Sequence, residues 1–329
     1  MTLQQIHIKK AERPRLGGIC LTVLLLFCIV LMLKRADVAT MCMKDGLSLC
    51  ARTVVPSLFP FMVLSEILVT SGVGEWLSAP MERIFGKLLG LSRAGCCAVL
   101  LGLLCGFPTG ARCAILSYQK KAIDKAECER VLACSSIPSS AFLIGTVGTI
   151  LWKNAKFGVL LYVAAIFSAI LSGIFIYAVQ KRKGRTNIQR PSSHPAKVHF
   201  EIGMFTTAIK NATLSTLLIC AYVVFFSTLA GTVELVVNRF AKSKLTHAIF
   251  SATLELSGGV DAAAKLQSRK LGAILTGAAV GWSGLSVHCQ MLALCDGNDI
   301  STRPYLIAKI VQAAICALAI GLLAVGIRA

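Results

Sequence analysis

Runs of about twenty apolar residues with few charges recur along this chain, and no other feature restricts its fold as severely. Residues 17–33, 47–71, 133–152, 157–180, 208–231 and 304–327 form such runs, and 94–118 and 271–295 form two more that are interrupted. A helix crosses a hydrocarbon core of about 30 Å with roughly 20 apolar residues. Backbone N–H and C=O groups find no partners in lipid, so spans are helices or closed barrels, and runs this continuous are not barrel strands. The composition agrees, with 56% of residues hydrophobic and only 15% charged, outside the balance of an ordinary soluble domain. The expected fold class is therefore an all-α polytopic membrane protein with about six spanning helices, its main partner the lipid bilayer.

The formal charge of +19 does not indicate a nucleic-acid partner, because the basic residues sit in short connections between apolar runs rather than on one face of a soluble domain. The first run follows Lys9, Lys10, Arg13 and Arg15 and is followed at once by Lys34 and Arg35. It reads as a retained anchor, not a cleaved signal peptide. Most of the 14 cysteines lie inside apolar runs, where they serve as small packing residues. They show no zinc spacing, so neither metal nor cofactor is expected. Phosphate-loop, metalloprotease, serine-hydrolase and dinucleotide motifs are missing as well, and the reading is not an enzyme.

Charge bias addresses whether the two interrupted runs cross or return. If both return as re-entrant hairpins, the N-terminus, the loop 119–130, the basic segment 181–203 and the C-terminus all share the cytoplasmic face, which then holds most of the Lys and Arg. The first hairpin would enter from inside and the second from outside. Such inverted repeats are common in transporters, which place their sites near the midplane where broken helices meet.

The expected organisation is a basic segment with an anchor helix (1–36), a first repeat (37–180), the basic linker (181–203) and a second repeat (204–329). Phe61-Met62-Val63-Leu64-Ser65 pairs with Val223-Val224-Phe225-Phe226-Ser227, and Gly106-Phe107-Pro108-Thr109-Gly110 with Gly281-Trp282-Ser283-Gly284. A partly polar amphipathic stretch precedes each interrupted run, 75–91 and 240–266, and is expected at an interface.

Gly106, Pro108 and Gly110 break a helix, since glycine relaxes the backbone and proline removes a donor. A tip there exposes free N–H groups and a positive dipole end, and Arg112 one turn on adds a cation. These features suit an anionic or polar ligand, held by Gly106, Phe107, Thr109, Gly110 and Arg112. A kinked spanning helix whose Arg112 pairs with a carboxylate such as Glu66 is the alternative. Trp282, Ser283 and Ser286 offer an aromatic face and hydroxyls at the other break, with His288 beside them. Ser135, Ser136 and Ser139 surround Pro138 and either line a cavity or start a helix. Glu66 and Glu255 are candidates to carry a coupling H⁺ or Na⁺, together with His288. Arg52, Lys210 and Lys309 are further charges inside apolar runs.

Val54-Val55-Pro56-Ser57-Leu58-Phe59-Pro60-Phe61-Met62-Val63-Leu64-Ser65-Glu66, then Gly102-Leu103-Leu104-Cys105-Gly106-Phe107-Pro108-Thr109-Gly110-Ala111 and the Ser135–Ser140 run, resemble the YlbJ-type sporulation integral membrane proteins. The resemblance covers most of 45–329 and is stronger in the first half. It implies two nucleoside-recognition Gate repeats distantly similar to concentrative nucleoside transporters, with hairpin tips touching substrate at Gly106, Thr109, Gly110 and, in the second half, Trp282, Ser283 and Ser286. It also implies a place in the outer forespore membrane and a role in moving dipicolinate. Where such proteins carry Asn-Thr-Ser-Asn-Pro, this chain has Ser135-Ser136-Ile137-Pro138, so an amide is missing. The expected function is transport of a small polar, anionic heterocycle. A nucleoside carrier and a non-transporting structural component of a sporulation complex are the rivals, and homo-oligomers are compatible with each.

Overall fold

The structure, a computed structural model, describes residues 16–185, 198–240 and 243–323. The basic segment 1–15, most of the linker and the final residues 324–329 lie outside the described residues. The chain is an all-α polytopic membrane protein, and the described residues form fourteen α-helices and two π-helical stretches. Helices α1 (Leu16–Lys34) and α2 (Ala36–Leu49) lead through the π-helical turn Cys50–Val54 into α3 (Val55–Thr70) and then α4 (Val73–Leu89). The α4 axis turns 97° from the next helix, and Trp76 and Ile84 are exposed on it. It is amphipathic and set across its neighbours, as its mixed sequence predicts.

Helices α5 (Arg93–Cys105) and α6 (Phe107–Gln119) fold back on each other about Gly106. Next come α7 (Lys125–Ser135), a break at 136–139, the π-helix Ala141–Leu151 and the long α8 (Ala155–Arg182). The second half repeats this order. After α9 (Ile202–Phe240), α10 (Lys244–Leu254) and α11 (Leu256–Ala264) pack against each other as a second hairpin. Then α12 (Arg269–Trp282) and α13 (Gly284–Cys295) form a broken span, and α14 (Arg303–Leu323) closes the chain. Among the described residues four stretches are long and apolar enough to cross a membrane on their own: Ala155–Arg182, Ile202–Glu234, Arg269–Cys295 and Arg303–Leu323.

This order corrects the sequence reading at one place. Residues 94–118 are a hairpin as expected, but 271–295 is a kinked spanning segment, and the second hairpin is the stretch 240–266 that was expected at an interface. The proof is in the loops. Gln119 donates to Asn298 at 3.0 Å, Lys125 pairs with Asp299 at 2.6 Å, and Ser301 N–H donates to Glu129 at 3.1 Å. The segment after α13 thus shares a face with the segment after α6, so the chain has crossed between Arg269 and Cys295. On the other face Arg269 stacks over Trp152 at 5.6 Å, and Gly272 packs against the Ala263 carbonyl at the base of hairpin 2. The two hairpins therefore enter from opposite faces, as inverted repeats require. One consequence reverses an expectation: α14 runs antiparallel to α12, with Gly277 against Cys316 and Gly281 against Ala313. Its end lies on the face opposite the loop 119–125, not beside it.

Half-exposed apolar side chains such as Phe167, Leu217, Phe225 and Ile310 face outward, the expected direction in lipid. The interior packs small residues of hairpin 1, α7, α8, α12 and α14 closely together. Cysteines placed at Gln119 and Asn298 in a cysteine-depleted background should crosslink within the membrane-embedded protein. Failure to crosslink, with both sites labelled from opposite faces, would return 271–295 to a re-entrant path.

Candidate functional site

Each hairpin tip rests on the break of a spanning helix. At the first, Gly106 has φ +97°, and a Cβ there would sit 2.9 Å from the Ser139 nitrogen. Only glycine fits this position without strain. Its left-handed turn ends α5 and lets Pro108 enter the first turn of α6, where a missing N–H costs nothing. Phe107 N–H then donates to the Ile137 carbonyl at 2.7 Å, and the Ser140 hydroxyl donates back to the Leu104 carbonyl at 3.2 Å. The broken helix and the tip thus satisfy each other's backbone.

The second tip repeats the device with different residues. Glu255 is extended, φ −145°, ends α10 and caps α11, its carboxylate accepting from Gly258 N–H at 2.7 Å. Opposite it, Ser283 and Gly284 are left-handed, with φ +74° and +83°. A Cβ on Gly284 would meet the Leu256 nitrogen at 2.9 Å and the Glu255 Cα at 3.0 Å. The Trp282 indole N–H donates to the Thr253 carbonyl at 3.1 Å. Thr253 precedes its tip by two residues, as Leu104 precedes Gly106, so the two contacts are equivalent. His288 stands edge-on to Trp282 at 4.3 Å, with its Nδ1 at 2.8 Å from the Tyr305 hydroxyl.

Between the tips lies a cleft of about 100 Å³. Phe107 and Pro108 of hairpin 1, Ser139 and Phe142 of the first broken span, Glu255 and Ser257 of hairpin 2, and Ser286 and Gln290 of α13 line it. Four helical N-termini converge here: α6, the π-helix after Ser140, α11 and α13. Each carries roughly half a positive charge, opposed by the carbonyl ends of α5, α7, α10 and α12 at the same breaks, and the one carboxylate among the lining residues is that of Glu255. Gln290 Nε2 donates to Ser286 at 3.3 Å, while its Oε1 is buried without a partner. A larger polar cavity of about 480 Å³ runs between α9 and hairpin 2, past Glu234, His247 and Asp261, and ends on the other side of Glu255. Glu255 is thus a wall of both spaces.

Of the residues expected at the site, Phe107, Ser139, Ser286 and Glu255 line the cleft directly, and Gly106, Trp282 and Ser283 shape it. Ser136 is turned inward, its hydroxyl donating to the Leu132 carbonyl at 2.6 Å, and Ser135 is buried against Gly102 and Gly110. Arg112, Thr109 and Glu66 form a separate cluster. There the Arg112 guanidinium meets Glu66 at 2.9 Å, the Asn211 carbonyl at 3.2 Å and the Ser215 hydroxyl, while Asn211 donates to Glu66 at 2.9 Å. This network fastens hairpin 1 to α3 and α9, the ion-pair alternative for Arg112. Sequence reasoning missed Ser257, because 240–266 did not read as a hairpin, and also Phe142 and Gln290, which lie one to two turns beyond the breaks that it singled out.

No protein-family model matches the chain. It is 24% identical over 310 residues to "Sporulation integral membrane protein YlbJ" of Bacillus subtilis (strain 168), covering 85% of this chain and 76% of that protein. Among solved structures, that of a doubly substituted CNTnw, a concentrative nucleoside transporter, in an outward-facing state superposes with TM-score 0.54 at 13% identity. The superposition covers 94% of this chain and 86% of that one. The likeness establishes the fold.

Two outcomes test this geometry. Gly106→Ala should destabilise the purified protein by about 1–3 kcal/mol through left-handed strain, read as a lowered melting temperature. Glu66→Met alone strands a largely buried guanidinium and should cost on the order of 3 kcal/mol. Adding Arg112→Met should recover much of that loss, and a purely additive double variant would contradict the network.

Proposed function

We propose that the chain is a transporter that carries a small planar heterocycle bearing negative charge, in sporulation dipicolinate, between the two hairpin tips. The observation that carries the proposal is the pairing of two re-entrant tips with two broken spans around one cleft at the centre of the fold. Tips held by a few hydrogen bonds to broken helices can move as units, which is how alternating access proceeds around a fixed site. Hairpin 2 is the mobile gate on one face, with Glu255 separating the cleft from the polar cavity between α9 and α10–α11.

The chemistry of the cleft supports the substrate class. Phe107 and Phe142 provide apolar faces for a ring, Ser139, Ser257 and Ser286 provide hydroxyl donors, and the helix N-termini at the breaks supply backbone N–H donors. Glu255, when protonated, completes the set as a donor and is the coupling group of the proposal. The resemblance to YlbJ-type proteins and the likeness to one such relative add the sporulation setting.

A nucleoside is the second reading. It rests on the fold shared with a nucleoside transporter and on the Glu255 carboxylate and free Gln290 carbonyl, both able to accept from sugar hydroxyls or a base amine.

Thermal-shift titration separates the readings: dipicolinate should raise the melting temperature and uridine should not, and the reverse result transfers the assignment to nucleosides. In liposomes, Ser286→Ala and Gln290→Ala should each cut uptake of labelled dipicolinate about tenfold, the equivalent of one lost hydrogen bond of about 1.4 kcal/mol. Absence of binding and of uptake for both solutes removes the transporter reading.

A further inference from the structure

Lys309 is the seventh of the 21 residues of α14 and is completely buried, 0% exposed. An ammonium at such a depth is costly unless it is compensated, and intramembrane charges mark function by default. Among the described residues no carboxylate stands within 4 Å of it. Its partners are instead the Ser136 carbonyl at 2.8 Å and Gln312 Oε1 at 3.0 Å. Ser136 follows directly on the last residue of α7, where the first broken span stops.

The neighbouring carbonyls belong to the same helix end. Gln312 Nε2 donates to the Ala133 carbonyl at 2.7 Å and to the Ser172 hydroxyl at 2.9 Å, and the Ile137 carbonyl is taken by Phe107 of the hairpin tip. A half-helix that stops inside a membrane protein presents unpaired carbonyls and the negative end of its dipole. In transporters built from broken helices such ends bind the coupling cation. Here the chain places its own ammonium on that end, from a residue four positions after Tyr305, which holds His288 of the second broken span.

We propose that the Lys309 ammonium is a built-in monovalent cation that closes the α7 break, and that the break is a cation site which this chain fills covalently instead of with a free sodium ion. The assignment rests on the fold and on these contacts, and the part of it that concerns coupling rests on the transporter reading above. It makes two statements about ligands. The native protein needs no sodium at this place, and removal of the side chain uncovers a site for small monovalent cations, an alkylammonium above all.

The test uses the purified full-length protein and melting temperature alone, so it stands or falls apart from any transport result. The wild type should melt at the same temperature in sodium chloride and in choline chloride of equal ionic strength. Lys309→Ala should melt lower, and added ethylammonium, which replaces the deleted end of the side chain, should raise it by on the order of 2 °C or more at concentrations well above its dissociation constant. Sodium should act in the same direction, and neither ion should stabilise the wild type. Sodium stabilisation of the wild type, no rescue of Lys309→Ala by either cation, or a Lys309→Met protein as stable as the wild type would each overturn the proposal. If Lys309→Ala does not accumulate, the yields of Lys309→Arg and Lys309→Met decide. Arginine above methionine supports a required cation, and equal yields refute it.

Discussion

A backbone that leaves helical geometry at membrane depth must find its hydrogen bonds inside the protein, because lipid offers none. This fold meets the requirement by pairing its irregular places with one another. Phe107 N–H donates to the carbonyl of Ile137, and the Trp282 indole to that of Thr253, so each hairpin tip is held by the break of a spanning helix. A hairpin tip without its broken helix, or the reverse, would strand several polar groups at a cost of several kcal/mol. The order hairpin then broken span is thus one cooperative unit used twice.

Small residues let the pairing close. Gly106 and Gly284 lie where a side chain would strike the opposing backbone, and both adopt left-handed angles that end one helix and admit the next. The remaining helix ends are served by side chains from elsewhere: Glu255 caps α11, Lys309 and Gln312 cover the carbonyl end of α7, and Ser139 accepts from Phe142 N–H. Two of these capping groups, Glu255 and Ser139, also line the cleft between the tips.

Two charged clusters divide the labour. The Arg112–Glu66–Asn211 network is balanced internally and ties hairpin 1 to α3 and α9, which in the proposed transport cycle suits that hairpin to stay fixed. Hairpin 2 is bordered by the wide polar cavity along α9 and by Glu255 at its tip, which suits it to be the one that moves. The asymmetry is a property of the side chains, since the backbone plan of the halves is alike.

The sequence by itself determined the membrane character, the helical class and the residues that break the first interrupted run, because apolar length and Gly-Phe-Pro-Thr-Gly chemistry are local properties. It also exposed Arg112, Glu66, Glu255 and Lys309 as costly charges, and offered Glu66 as a partner of Arg112 without deciding between that pair and a ligand. Only the tertiary structure decided which interrupted segment returns. The segment 271–295 and the stretch 240–266 both contain glycines and polar residues, and no local signal distinguishes a kink that continues from a turn that folds back. That choice is fixed by what each break packs against: Leu256 and Glu255 against Gly284, and Asn298 and Asp299 against Gln119 and Lys125. Those contacts join residues far apart in the chain, and the same distance hid the joining of Lys309 to the end of α7.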